Sequence, residues 1–146
     1  MGLNDYLGDA AVQENVIADC RQLMDEQVAS KKGIGGVAIK AAYKVIKGLG
    51  PDYLSKAIAG LLPSICTALD PIWEAGVENG DPVAHMSQNT SQTADAVLSV
   101  TDKRIEQSSN KPVKGAYGKL RKSVKSDVED AIPGLAKIIG TYAKAA

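Results

Sequence analysis

The sequence has no phenylalanine, and its other aromatics are five tyrosines and one tryptophan. Any core must therefore be filled by Ala, Val, Ile and Leu. There is one histidine, His85, and two cysteines, Cys20 and Cys66, with no Cys-x-x-Cys pair. A zinc site needs several Cys, His or carboxylate ligands at close spacing, so no metal is expected. Both cysteines fall on apolar faces of expected helices. Buried, reduced thiols are the simpler reading, with a disulfide between them as the alternative. Acids and bases balance at 17 each, which leaves no net field to gather nucleic acid or an anionic membrane. The longest apolar run, Ala57 to Leu69, is broken by Pro63 and is too short to span a bilayer. Met1-Gly2-Leu3-Asn4-Asp5-Tyr6 has neither a basic region nor an apolar stretch, so no signal peptide is expected. Tyr6 stands where a myristoylation motif wants Ser or Thr. These absences predict a cytoplasmic protein with no membrane insertion and no cofactor.

What is present is helical periodicity. The 146 residues match the prior of roughly 150 for one domain. Val12, Val16, Cys20, Leu23 and Met24 fall on one helical face. A second helix carries Ile39, Ala42, Tyr43 and Ile46 and stops at Gly48-Leu49-Gly50. Pro51 suits the first turn of a third helix, apolar nearly all round, that Pro63 should kink or break. Asp70-Pro71 reads as the cap and first turn of a further short helix. Gly, Asn, Asp, Pro and Ser between 76 and 89 read as a linker. Beyond it come helices with Ala94, Val97, Leu98 and Ile105, then with Val113, Ala116, Tyr117 and Leu120. A capping box, Ser126-x-x-Glu129, should open the last helix.

The halves resemble each other. Residues 39–69 overlay residues 113–143 without a gap, pairing Lys40 with Lys114, Ala42 with Ala116, Tyr43 with Tyr117, Gly60 with Gly134 and Leu61 with Leu135. Lys47 meets Arg121, and a small loop adjustment brings Asp25 onto Asp102. The expectation is an all-α bundle of about six to seven helices: two three-helix units, 10–75 and 88–146, joined by the linker 76–89. The two most apolar helices, from Pro51 and from Asp127, should lie side by side at its centre.

No motif carries a reaction. Lys32, Gly33, Gly35 and Gly36 lead into a helix and have the ingredients of an anion site, since glycines let backbone N–H groups approach a ligand. The P-loop spacing is absent, and a plain turn is the simpler reading. Tyr43 and Tyr117 could line a pocket between the halves, although core tyrosines bonded to a carboxylate are commoner. His85 reads as an exposed linker residue. Lys40, Lys44 and Lys47 could join Lys114, Lys119, Arg121, Lys122 and Lys125 in one positive face if the second helices of the two units lie together. A solvated or ion-paired face is the simpler reading.

The runs Ala38-Ile39-Lys40-Ala41-Ala42-Tyr43-Lys44, Val100-Thr101-Asp102-Lys103-Arg104 and Val113-Lys114-Gly115-Ala116-Tyr117 resemble a family of small bacterial proteins of unknown function. The resemblance implies a bacterial cytoplasmic protein and transfers no activity or site. Function from sequence is therefore a non-catalytic helical protein acting through protein contacts, as a homodimer or with another partner. The alternative is a small-molecule carrier or sensor with an apolar pocket between the repeats.

Overall fold

The computed structural model describes residues 2–50 and 52–143, and among them it contains eight α-helices and no strand. The all-α bundle forms as expected. Pro51, expected in a first turn, lies outside the described residues.

Two helices escaped the sequence pattern because they are short. Helix α1 (Leu3–Leu7) carries its signal in Leu3 and Leu7, both buried. Helix α5 (Pro82–Gln88) occupies half of the stretch read as a linker; Asp81 caps it by accepting from the Ala84 N–H at 3.0 Å, and Met86 is fully buried. The 76–89 stretch is thus mainly helical, the end of α4 and all of α5 flanking an exposed turn at 79–81. The long elements follow the periodicity: α2 (Ala10–Ser30), capped by Asp9, then α3 (Gly33–Lys47), α4 (Tyr53–Glu78), α6 (Thr90–Glu106), α7 (Lys111–Leu120), capped by Asn110, and α8 (Val124–Ala143).

Helix α4 corrects the expected breaks, since it runs on through Pro63 and Pro71. A proline inside a helix costs about 3 kcal/mol. Here Leu69, Ile72 and Trp73 are buried just around Pro71, each contributing roughly 1.5–3 kcal/mol on burial. The tertiary term exceeds the local one. Asp70 caps a different helix from the one expected: its Oδ1 accepts from the Leu3 N–H of α1 at 2.7 Å. The Ser126 capping box does not form either. Ser126 lies inside α8, and its hydroxyl donates to the Ser123 carbonyl at 3.3 Å.

The core joins Leu3, Leu7, Val16, Leu62, Cys66, Leu69, Ile72, Trp73, Met86, Ala94, Ile132, Ala136 and Ile139. Helices α4 and α8 both feed it, but they do not pack along each other as expected. Instead α2, α5 and α6 each touch both. An apolar helix needs neighbours on several sides, and these three supply them. Helix α2 packs on α8 while α6 packs on α4, so the first long helix of each half meets the last helix of the other. The matched glycines mark these contacts. A Cβ on Gly134 would sit 2.6 Å from Leu23 Cδ1 of α2, and one on Gly60 would sit 3.0 Å from the Arg104 guanidinium of α6.

Candidate functional site

Helices α3 and α7 stand apart from this core. They pack on each other, α3 also on α2 and α4, and α7 on α6. Among the described residues the main core cluster draws on neither. Residues 31–50 hold five Lys and no acid, and residues 107–126 hold five Lys, Arg121 and no acid. All 17 acids and the other six bases lie elsewhere. The neutral total therefore conceals a polarised molecule, with most of its bases gathered in two segments that hold no acid.

Successive residues step about 100° around a helix. That step sets Ile39, Ala42, Tyr43 and Ile46 toward the bundle and leaves Ile34, Val37, Ala41 and Val45 on the opposite side. Ile34 is 92% exposed, Val37 69% and Val45 46%. A shallow groove of about 430 Å³ runs beside this ridge between α3 and α7, lined among others by Ala38, Ala41, Val45, Gly115 and Lys119. Of the bases expected on one face, Lys47, Arg121 and Lys125 are tied into ion pairs with Asp25, Asp102 and Asp95. Lys40, Lys44, Lys114, Lys119 and Lys122 are exposed and enter no ion pair among the described residues, and the same holds for Lys32 and Lys111. The apolar ridge escaped sequence reasoning because the inward stripe explained α3 by itself. The legible signal was apolar residues on two opposite faces of one helix.

The two tyrosines turn inward, away from the groove. Tyr43 donates to Asp25 Oδ1 of α2 at 2.5 Å, and Lys47 Nζ sits 3.5 Å from the same oxygen and 5.3 Å from the Tyr43 ring centroid. Tyr117 donates to Asp102 of α6, which also receives Arg121 Nε at 2.8 Å and Nη2 at 3.0 Å. Thr101 Oγ1 lies 2.8 Å from the Tyr117 hydroxyl. The structure thus brings each tyrosine to a matched carboxylate and a matched base. Burial, followed by the Asp25 hydrogen bond, pushes the Tyr43 phenol well up. Burial, followed by the Asp102 hydrogen bond, pushes Tyr117 up to about 12. Asp25 is held below its usual range first by Tyr43, and Asp102 first by Arg121. These are the properties of structural struts.

The glycine loop is a helix start. Lys32 is the N-cap position, and Gly33, with φ of 75°, begins α3. Gly36 is buried because the chain folds back on it: a Cβ there would lie 2.9 Å from the Lys31 carbonyl oxygen. Its N–H already donates to the Lys32 carbonyl at 3.3 Å. Lys31 turns away to Asp130 at 2.7 Å and Asp127 at 3.3 Å, pinning the loop to α8. Gly35 meets nothing within 4 Å. Of the first turn only Gly36 is packed; Gly33, Ile34 and Gly35 stand exposed, with Lys32 beside them as an exposed cation.

His85 is half-buried in α5, with Nδ1 3.3 Å from Asn79 Nδ2, rather than exposed in a linker. The thiols of Cys20 and Cys66 are free, and burial pushes both up to about 11, which keeps them protonated and unreactive. Among the described residues no group of acids, His and Cys is placed to hold a metal. A wider groove of about 830 Å³ between α4 and α6, lined by Gly60, Ser64, Thr67, Lys103 and Arg104 among others, was not anticipated from sequence. It is open and of mixed charge. Among the described residues no helix is long and apolar enough to cross a membrane.

No curated protein and no solved structure shows significant similarity to the chain. A sequence pattern that spans residues 3–143 does match, and on that match the chain belongs to DUF6918, a family of unknown function.

Proposed function

We propose that this protein is a duplicated, non-catalytic contact module that docks on a negatively charged partner through the outer face of α3 and α7. One observation carries the reading: Ile34, Val37 and Val45 stand exposed on a layer whose two segments contain no acid. Large apolar side chains ranged on one side of a helix mark an interaction surface when they are contiguous. Apposing this face on a second copy of itself would set like charges against each other, which disfavours a symmetric homodimer through this face. Nucleic acid is a poor fit, because the ridge puts Ile and Val where a phosphate backbone wants cations.

The duplication is supported by the paired struts Asp25–Tyr43–Lys47 and Asp102–Tyr117–Arg121 and by α2 and α6 each packing on both α4 and α8. Two free thiols fit a reducing compartment such as the cytoplasm. A carrier with a tyrosine-lined pocket has no support, since both hydroxyls are bound to carboxylates away from the groove.

The test is a photo-crosslinking residue placed at Val37 in living cells, compared with one at Glu74, outside the basic layer. Adducts dominated by a single species at Val37 and absent at Glu74 are expected. Equal or no labelling at the two positions would remove the reading.

A further inference from the structure

We propose that the negatively charged partner is an anionic lipid surface, on which the protein lies without crossing, with Ile34 and Val37 dipping between the headgroups. This rests on the contact-module reading and names the partner of the same face.

Three features favour a lipid surface over an acidic protein. The free charges are all lysines: Lys32, Lys40, Lys44, Lys111, Lys114, Lys119 and Lys122. Protein interfaces are depleted in lysine and enriched in Arg, Tyr, Trp and Met anchors. The arginine of this layer, Arg121, is spent on Asp102, and its tyrosines face inward. A cluster of lysines on an amphipathic helix is instead what a continuous anionic surface attracts, each contributing through proximity with no need for a fixed geometry. Second, Ile34 projects almost wholly into solvent. A protruding side chain enters a soft acyl boundary readily, whereas a protein partner would need a pocket shaped for it. Third, the sign is uniform. With no acid in 31–50 or 107–126, the layer has nothing to set a register against a partner of mixed charge, and a fluid surface asks for none.

The arrangement also orients the molecule. On α3, Lys40 and Lys44 lie along one side of the ridge, and Lys119 shares the groove with Ala41 and Val45 on the other. The apolar strip is thus bordered by cations on both sides, as an interfacial helix requires. All the acids lie outside these two segments, so the rest of the molecule is held off an anionic surface by its own charge. Attraction and repulsion both turn α3 and α7 toward the lipid.

The experiment is co-sedimentation of the full chain with vesicles of phosphatidylcholine alone and with vesicles in which part of it is replaced by phosphatidylglycerol. Binding to the anionic vesicles, little to the neutral ones, and a steep decline as salt shortens the Debye length are expected. Lys40→Gln with Lys44→Gln should weaken partitioning by roughly thirtyfold, at about fivefold per lysine. Ile34→Asp with Val37→Asp should abolish binding, while Val77→Asp, exposed on α4, should leave it unchanged. These positions are exposed, so circular dichroism should show every variant folded. Absence of binding to anionic vesicles at low salt, equal binding to neutral ones, or indifference to the Ile34 and Val37 pair overturns the proposal. The crosslinking at Val37 separates the two readings. A protein adduct without vesicle binding ends the lipid proposal and leaves the contact module, whereas loss of selective labelling ends both.

Discussion

In the offset that overlays residues 39–69 on 113–143, helices α3 and α7 agree on one side only. Facing the bundle they keep Ala42 and Ala116, Tyr43 and Tyr117, Ile46 and Leu120. Facing outward, the same offset sets Val37 against Lys111, Ala41 against Gly115 and Val45 against Lys119. The inward residues are held by packing and by the carboxylates of α2 and α6, which tolerate little change. The outward ones are released from that constraint, and the halves there have become an apolar ridge and a lysine row. A similar inequality runs through the struts. Arg121 grips Asp102 with Nε and Nη2 and Thr101 meets Tyr117, whereas Lys47 reaches Asp25 at 3.5 Å only.

The severest way to break this comparison is to separate the halves at Gly80. Because α2 needs α8 and α4 needs α6, neither fragment should fold alone, a loss of the whole native stability, roughly 5–15 kcal/mol for a domain. A soluble, cooperatively melting 81–146 fragment would show that the halves do not depend on each other.

The matched glycines give the next largest effect. Gly134→Leu should cost roughly 1–3 kcal/mol, because overpacking forces Leu23 of α2 aside. Gly60→Leu should change stability by less than about 0.5 kcal/mol, since that position is exposed and the Arg104 side chain can swing away. Equal losses in denaturant melts would contradict the different surroundings of the two sites.

Removing each carboxylate sharpens the strut comparison. Asp102→Ala should cost about 1 kcal/mol and Asp25→Ala about 0.3 kcal/mol, both reduced by solvent screening of side chains 36% and 47% exposed. Both carboxyls titrate low in the fold. Their contribution is therefore complete above the unfolded value of about 3.9 and fades as pH falls through the lower folded values. On the alkaline side Tyr117 is raised to about 12. Its stabilisation is full below the unfolded phenol value of about 10 and is lost as pH rises beyond the folded one. Urea melts across pH should show both flanks, and Tyr117→Phe should remove the Tyr117 part of the alkaline one. A stability curve for Asp102→Ala as acid-sensitive as the parent's would place the acid response elsewhere.

The smallest effect is expected on the outer face. Val37→Lys and Val45→Lys, which make α3 resemble α7, should shift stability by less than about 0.5 kcal/mol because both residues are exposed. A larger loss on thermal melting would mean that the ridge serves the fold as well as the surface.

The sequence by itself determined the all-α class, most long helices and the correspondence of Tyr43 with Tyr117, because each is written in local periodicity or in direct likeness between segments. It also showed the basic residues of both second helices. Only the tertiary structure decided that α4 continues through Pro63 and Pro71, that Pro82–Gln88 is a helix, and that α2, α5 and α6 come between α4 and α8. In each case burial supplied by distant residues outweighs a local preference of a few kcal/mol. The exposed ridge of Ile34, Val37 and Val45 was undecided for the same reason. Periodicity shows that a helix has two apolar faces, but which one is covered depends on where its neighbours lie.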